Sequence, residues 1–476
     1  MVFIFVLFIN LLFAAAQDWG YCDASSKSCD LNEDEQKLIF YDVNPPEGFN
    51  LRRDVYMRFA IMLAEAQKHG KRKDWQLVLP PWYHLYHWKI SRKPTPWGSF
   101  FDLNSLKSYA PVTEMYEVMS RTPKLTIDRL YVLQNYEDAF EGGHFKEKWE
   151  ISKDDCHYEG FWGYNNITVK EKICVKFQGK ISKLWELVQL HPEDTKIMFS
   201  HGEIPLHDSY GTKSFWDCRW SMKFNNKLMQ IASKYIADNL NCDTTYLSIH
   251  WRRQDFIYGR KDFAPSIEGT AKQLDIAIKN NNLKINKIFI ATDAYKSEIE
   301  KLEEQLKILN YKPILYIPTR KDIELYGDGG IAIIEQIICS RSSYFIGTHE
   351  STFTFRIQEE REILGFDSVT TFNRLCPDKG KCDKPSKWTI AWLTPRFPSR
   401  RYNYMRSTPI LMSSSSNCRA PQLWNGRLLA LAPPCSHICR NRRVLLESEP
   451  SLPSTIIYSV TVGWGRKTPC KSVTCK

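Results

Sequence analysis

Apolar and polar positions alternate along the chain in blocks that predict strands and helices in turn. Leu38 to Val43 is a short apolar run with strand character. Behind it, Asn50 is placed to cap a helix reaching about His69, with Val55, Phe59, Met62, Leu63 and Ala66 on one face and Gly70 as its stop. Trp75 to Leu79 predicts the next strand, ended by Pro80-Pro81. From 82 to 235 the pattern is less regular, with aromatic loops and a helix near Met222 to Ala237. Regularity returns in the second half. Strands are predicted at Tyr246–His250, Lys287–Thr292, Ile314–Ile317 and Tyr344–Gly347. Helices are predicted at Ile267–Lys279, Lys296–Leu309 and Ile331–Cys339, the last behind Gly329-Gly330. Strands alternating with helices predict parallel sheets covered on both faces, an α/β class of protein. Two such halves leave a cleft suited to a nucleotide-sugar.

The ends differ from this body. Val2 to Phe13 is almost wholly apolar and is followed by Ala14-Ala15-Ala16, so residues 1–16 are expected to be a signal peptide. Fourteen cysteines fit an oxidising compartment. The close spacings of Cys22 with Cys29, Cys156 with Cys174, and Cys376 with Cys382 suggest local disulfides. Asn166-Ile167-Thr168 is an N-glycosylation acceptor at Asn166 and calls for a surface position. Of the 65 Lys/Arg and 54 Asp/Glu residues, 13 and 2 fall at 393–476, which leaves 52 of each for the rest. The net charge of +11 is therefore a property of that stretch, and the neutral body is no nucleic-acid binder. The expected organisation is a first Rossmann-like domain at 17–235, a second at 236–392, and a basic, non-core tail at 393–476. No later segment is apolar for long enough to span a membrane.

Three loops carry candidate chemistry. Asn44-Pro45-Pro46-Glu47-Gly48-Phe49-Asn50 joins a strand to a helix start, where free N–H groups and the helix dipole favour anions. Glu47 is there either as a general base or as a carboxylate that merely suits the helix start. His250-Trp251-Arg252-Arg253-Gln254-Asp255-Phe256 follows a strand. One arginine of the pair is expected to meet a diphosphate and the other to meet protein or solvent, the alternative being a structural ion-pair group of Arg252, Arg253 and Asp255. The stretch Gly347 to Arg356, rich in hydroxyls, is either a phosphate cradle or an ordinary Ser/Thr helix cap. There is no Gly-Lys-Ser/Thr phosphate loop, no Gly-x-Gly-x-x-Gly after a strand and no Asp-x-Asp metal motif, which makes Arg252 the candidate cation for a leaving diphosphate.

In this order, these motifs resemble the GDP-fucose protein O-fucosyltransferases, in the branch acting on thrombospondin type 1 repeats. The likeness runs from about Lys37 to Ile390. It rests on Tyr41 to Tyr56, Leu77 to Trp82, Leu85-Tyr86-His87-Trp88, His250 to Phe256, Ile290 to Ala294, Asp328-Gly329-Gly330 and Ser351-Thr352-Phe353. The resemblance implies a GT-B fold of two Rossmann-like domains facing a cleft. It also implies inverting, metal-independent transfer of fucose from GDP-fucose, with no further cofactor, to Ser or Thr of folded repeats in the endoplasmic reticulum lumen. By position it makes Glu47 the base and Arg252 the catalytic cation. Pro46, Gly48, Phe49, Asn50, His250, Arg252, Glu335, Thr352 and Phe353 become donor contacts, and Trp88 an acceptor contact whose alternative is simple burial. Cys156–Cys174 and Cys376–Cys382 become the disulfides. Trp251, Gln254 and Glu335 depart from the Leu, Lys and Asp usual in the family. Other readings are a fucosyltransferase acting on a glycan, a catalytically silent binder of GDP-sugars or repeats, and a nucleic-acid binder acting through the tail.

Overall fold

A computed structural model describes residues 37–382, except 86, 91–92, 137–139, 142–143, 159, 241–244 and 381, together with 423–424 and 427–428. The signal peptide, Cys22 and Cys29 lie outside the described residues. So does the basic tail, except for the antiparallel pair Leu423–Trp424 and Arg427–Leu428.

Two α/β halves make up the described body. The first is built on a seven-stranded sheet. Its strands are β1 (Lys37–Tyr41), β2 (Trp75–Leu79), β3 (Val112–Glu114), β4 (Leu125–Gln134), β7 (Lys148–Ile151), β8 (Ile167–Gln178) and β9 (Lys196–Ser200); the short hairpin β5 (Phe140–Glu141) and β6 (His144–Phe145) stands apart. The order is β3-β2-β1-β9-β4-β8-β7, parallel except where β7 meets β8. The apolar run of β1 explains its place inside the sheet. Leu38, Ile39, Phe40 and Tyr41 are all buried, and both edges are paired, with Ile39 opposite Leu77 and Ile197. The second half is a parallel sheet of β10 (Tyr246–Trp251), β11 (Lys287–Thr292), β12 (Lys312–Ile314) and β13 (Tyr344–Gly347), in the order β12-β11-β10-β13.

Several boundaries move. The first helix is Phe49–Lys68 and its N-cap is Gly48, with no side-chain cap bond. Asn50 lies inside the first turn, its side chain committed elsewhere. The helix expected at 222–237 is Asn226–Leu240, and a further helix that the pattern did not indicate, Lys213–Ser221, precedes it. The strand expected at 314–317 ends at Ile314. The helix expected to begin at Ile331 begins at Arg320, and Gly329-Gly330 lies within it. A kink at Gly327, whose φ of 54° and ψ of −158° suit only glycine, separates its two parts. The Asn226–Leu240 helix packs on the second half, where the Tyr235 hydroxyl donates to the Leu315 carbonyl at 2.6 Å. Both expected disulfides, Cys156–Cys174 and Cys376–Cys382, are present. Asn166 is exposed immediately before β8.

The first helix is not the one-sided element its apolar face predicts. Arg53 and Asp54 are buried along with Val55, Tyr56 and Phe59, because the face away from the sheet meets the second half, while Arg52 is buried against the loop before the helix. Arg53 donates to Gln336 at 2.8 Å. Asp54 lies 2.8 Å from Arg58, 3.2 Å from His207 and 3.7 Å from Arg356. Arg356, in the helix Thr352–Leu364, pairs with Glu359 at 2.8 Å, and Glu359 accepts from Arg219 at the same distance. Arg219 and Glu359 are 1% and 0% exposed, and Glu360 adds a third carboxylate 3.0 Å from Arg219. Burial alone would raise the Asp54 carboxyl; His207, Arg356 and Arg58 outweigh it and hold the group well below the usual range.

A charge stranded at this junction is costly. Arg219→Ala should lower unfolding stability by about 3–5 kcal/mol, measured by chemical denaturation. Lys234→Ala, which removes the exposed pair with Asp238, should change it by less than about 1 kcal/mol. Equal effects would mean the junction contributes no more than a surface pair.

Candidate active site

The candidate residues gather beyond the carboxyl ends of β1, β10, β11 and β13, where open α/β sheets collect ligands. On the first half, the chain leaves β1 at Tyr41 and turns through Pro45-Pro46 into the helix at Phe49. Arg52, itself buried, holds this turn by its backbone. It donates to the Glu47 carbonyl at 3.0 Å, to Asn44 at 3.3 Å and to Pro45 at 3.4 Å. The Asn44 amide donates to Glu203 at 3.1 Å. The Glu47 side chain is half-buried. Burial and the nearby Glu203 carboxylate raise its pKa, and Arg52 lowers it less, so the net direction is up. A raised carboxylate beside a helix start is a stronger base than an exposed glutamate.

The second half supplies the cation. The Arg252 amide donates to Thr348 at 2.9 Å, and its guanidinium pairs with Asp293 and, at 2.5 Å, with Asp255. Arg253 turns away. It reaches Glu298 at 2.7 Å, donates to the Pro265 carbonyl at 3.1 Å and lies over the Trp251 ring. The pair thus divides, Arg253 to protein and Arg252 to the cleft, although Arg252 also carries ion pairs of its own. Asp293 follows directly on β11 and also accepts from the Arg253 amide at 2.6 Å, so one carboxylate fixes the turn and the guanidinium together. Thr348 bonds back to the His250 carbonyl at 2.8 Å, tying the ends of β10 and β13.

The remaining candidates divide into those on the cleft wall and those beneath it. Thr352 is exposed at the first residue of its helix, and Pro46 is exposed in the base loop. Phe353 stacks on His250 with centroids 4.3 Å apart. His250 itself is 4% exposed and lies 2.8 Å from the Thr354 hydroxyl; burial, then Arg252, push its pKa down to about 3 and keep it neutral. Phe49 is buried among Trp82, Trp88 and Phe100, so what it offers the site is backbone. The Asn50 side chain accepts from Gln336 at 2.8 Å and joins the two halves. Glu335 is half-buried; burial and the Asp293 carboxylate push it up to about 8, so at neutral pH it holds a proton and can donate. Trp88 is half-buried, its ring edge-on to Phe100 and pressed against Gly329, where a Cβ would lie 2.6 Å from it. The Ile90 amide donates to Asp328 at 2.7 Å, so the segment bearing Trp88 is docked on the second half.

Sequence reasoning assigned no role to Arg52, Glu203, Asp293 or Thr348. The position of Asp293 directly after a predicted strand was a usable signal. Glu203 carried none, and Arg52 stood inside a motif stretch that assigned it no role, since their importance comes from folding next to Glu47. Among the described residues, one group has metal-ligand spacing, Asp155, Cys156 and Cys174, and its two sulfurs form a disulfide.

The family model described as GDP-fucose protein O-fucosyltransferase matches residues 38–364. A Pan troglodytes protein named GDP-fucose protein O-fucosyltransferase 2 is 39% identical over 396 residues, covering 75% of this chain and 90% of that protein. The Caenorhabditis elegans protein of the same name is 38% identical over 397 residues, covering 75% and 91%. The solved structure of POFUT1 in complex with GDP-fucose has a TM-score of 0.49 at 16% identity, covering 70% of this chain and 95% of that one. With a match that spans both halves and includes all three candidate loops, this chain belongs to the GDP-fucose protein O-fucosyltransferase family.

Proposed function

We propose that this protein transfers fucose from GDP-fucose to Ser or Thr hydroxyls of folded thrombospondin type 1 repeats, with inversion and without a metal, in the lumen of the endoplasmic reticulum. The observation that carries the proposal is the pairing, across one cleft, of a raised carboxylate at a helix start with a cation held at the ends of β10, β11 and β13. Family membership supplies the donor class. The names of the similar proteins support a protein hydroxyl as acceptor, and the fourteen cysteines support an oxidising compartment. Among the described residues no helix is long and apolar enough to cross a membrane.

The transfer is a single displacement. Glu47 takes the proton of the acceptor hydroxyl while its oxygen bonds to the anomeric carbon. The bond from that carbon to the diphosphate breaks, and GDP leaves with the electron pair. Arg252 stabilises the charge gathering on the diphosphate, and the N-terminal ends of the Phe49–Lys68 and Thr352–Leu364 helices add fixed positive dipoles. Because Asp293 and Asp255 already hold the guanidinium, little reorganisation is left for the moment of reaction; the diphosphate displaces the more exposed partner, Asp255.

Labelled fucose should pass from GDP-fucose to a folded thrombospondin repeat with EDTA present, and not to the reduced, unfolded repeat. Loss of transfer in EDTA would end the metal-free reading, and GDP-fucose binding without any transfer would favour a silent binder. Glu47→Gln should reduce kcat by about 10²–10⁴-fold with GDP-fucose binding retained; near-normal turnover would remove Glu47 as the base. Since Glu47 must be ionised to act and its pKa is raised, kcat/KM should fall on acidification at a pH above the ordinary glutamate range. Glu203→Gln removes the like charge that contributes to that rise, so its acid limb should move to lower pH. An unmoved limb would assign the titration to another group.

A further inference from the structure

His87 lies between the two parts of the site and has no role in the account above. It sits on the short segment that follows β2, between Leu85, which is buried, and Trp88, which is wedged against Gly329. Both ends of that segment are fixed. The Trp88 amide donates to the Leu85 carbonyl at 2.9 Å, and the Ile90 amide is held by Asp328 of the second half. The ring between them is turned to the base loop: the position a Cβ would take on Gly48 is 3.4 Å from Cδ2 of His87 and 3.9 Å from Nε2. Gly48 is the residue next to Glu47. The charges of the second half whose fields reach His87 are those of Arg252, Asp255 and Asp293. One exposed imidazole thus adjoins the base loop and lies within the field of the Arg252 cluster.

That position has a definite chemical meaning in the displacement above. The acceptor oxygen lies at Glu47 and the departing diphosphate at Arg252, so the anomeric carbon and its pyranose ring must occupy the space between them. We infer that His87 is a sugar-binding residue of the donor site, its imidazole hydrogen-bonding the transferred sugar and not the nucleotide. The inference rests on the transferase reading. Burial and Arg252 hold the ring below the ordinary imidazole range, so at neutral pH it is uncharged, with one nitrogen to donate and one to accept. A neutral group of this kind suits a sugar hydroxyl, whereas a diphosphate is better met by a permanent cation such as Arg252. Gly48 is part of the same arrangement: a Cβ there would rest in van der Waals contact with the imidazole.

Titration calorimetry with GDP and with GDP-fucose tests the assignment without requiring turnover. Because His87 is exposed, His87→Ala should fold normally, and its thermal melt checks this. Losing one neutral hydrogen bond should weaken GDP-fucose by about threefold to tenfold and leave GDP unchanged. His87→Gln, which keeps a donor and an acceptor, should recover most of the loss. Equal weakening of both ligands would make His87 a diphosphate or packing residue and overturn the inference, as would no change in either. A wild-type protein that binds neither ligand would sink the transferase reading and the assignment with it; wild-type binding of both, with His87→Ala unaltered, would sink the assignment alone.

Discussion

The two halves are joined by charge buried away from water, and the site depends on that junction. Asp54, Arg356, Glu359 and Arg219 form a continuous chain through the interface, with Arg58, His207 and Glu360 at its branches. Burial by itself would lower the pKa of Arg356, and the carboxylates of Glu359 and Asp54 outweigh it. Such a cluster adds less net stability than its short distances suggest, because every member has been desolvated. Its effect is on specificity. A sliding contact between apolar faces would tolerate many relative positions of the halves, whereas each charge here has a partner in only one. Asp54 lies in the same helix that begins at the Glu47 loop, and Arg356 in the helix that begins at Thr352, so the register of the interface is also the register of the cleft.

Within the cleft, the same physics sorts groups by environment. Burial and a neighbouring carboxylate raise Glu47 and Glu335, while burial beside a guanidinium lowers His250. The result is a site with a half-buried carboxylate of raised pKa, a neutral buried imidazole, a protonated acid able to donate, and the Arg252 cation. At Glu335 burial is the larger cause and the Asp293 carboxylate the smaller. Arg252 and Arg253 show how little spacing says about role. They are neighbours at one strand end, and pleat and turn geometry send one to Glu298 and the other to the cleft.

What the sequence determined by itself is the part whose cause is local. Period-two and helical patterns placed β2, β11 and β13 at their observed limits and the helices Ile267–Asn280 and Lys296–Ile308 within a residue, since a parallel sheet covered by helices writes its burial into each short segment. Close cysteine spacing indicated Cys156–Cys174 and Cys376–Cys382, and strand-to-loop junctions pointed to Glu47 and Arg252. Tertiary structure alone decided the rest. β3, β4, β8 and β9 fall in the stretch that read as irregular, because a third of β8 is exposed and β4 takes its partners β8 and β9 from far along the sequence. Asn50, a plausible cap by sequence, is instead drawn to Gln336 across the interface. Glu203 carries no local signal at all, and Arg52 and His87 stand inside motif stretches that assign them no role. Each owes its importance to what it meets after folding — a base, a run of carbonyls, and a space between a base and a cation — and those neighbours come from strands and loops that only the packing of the two halves brings together.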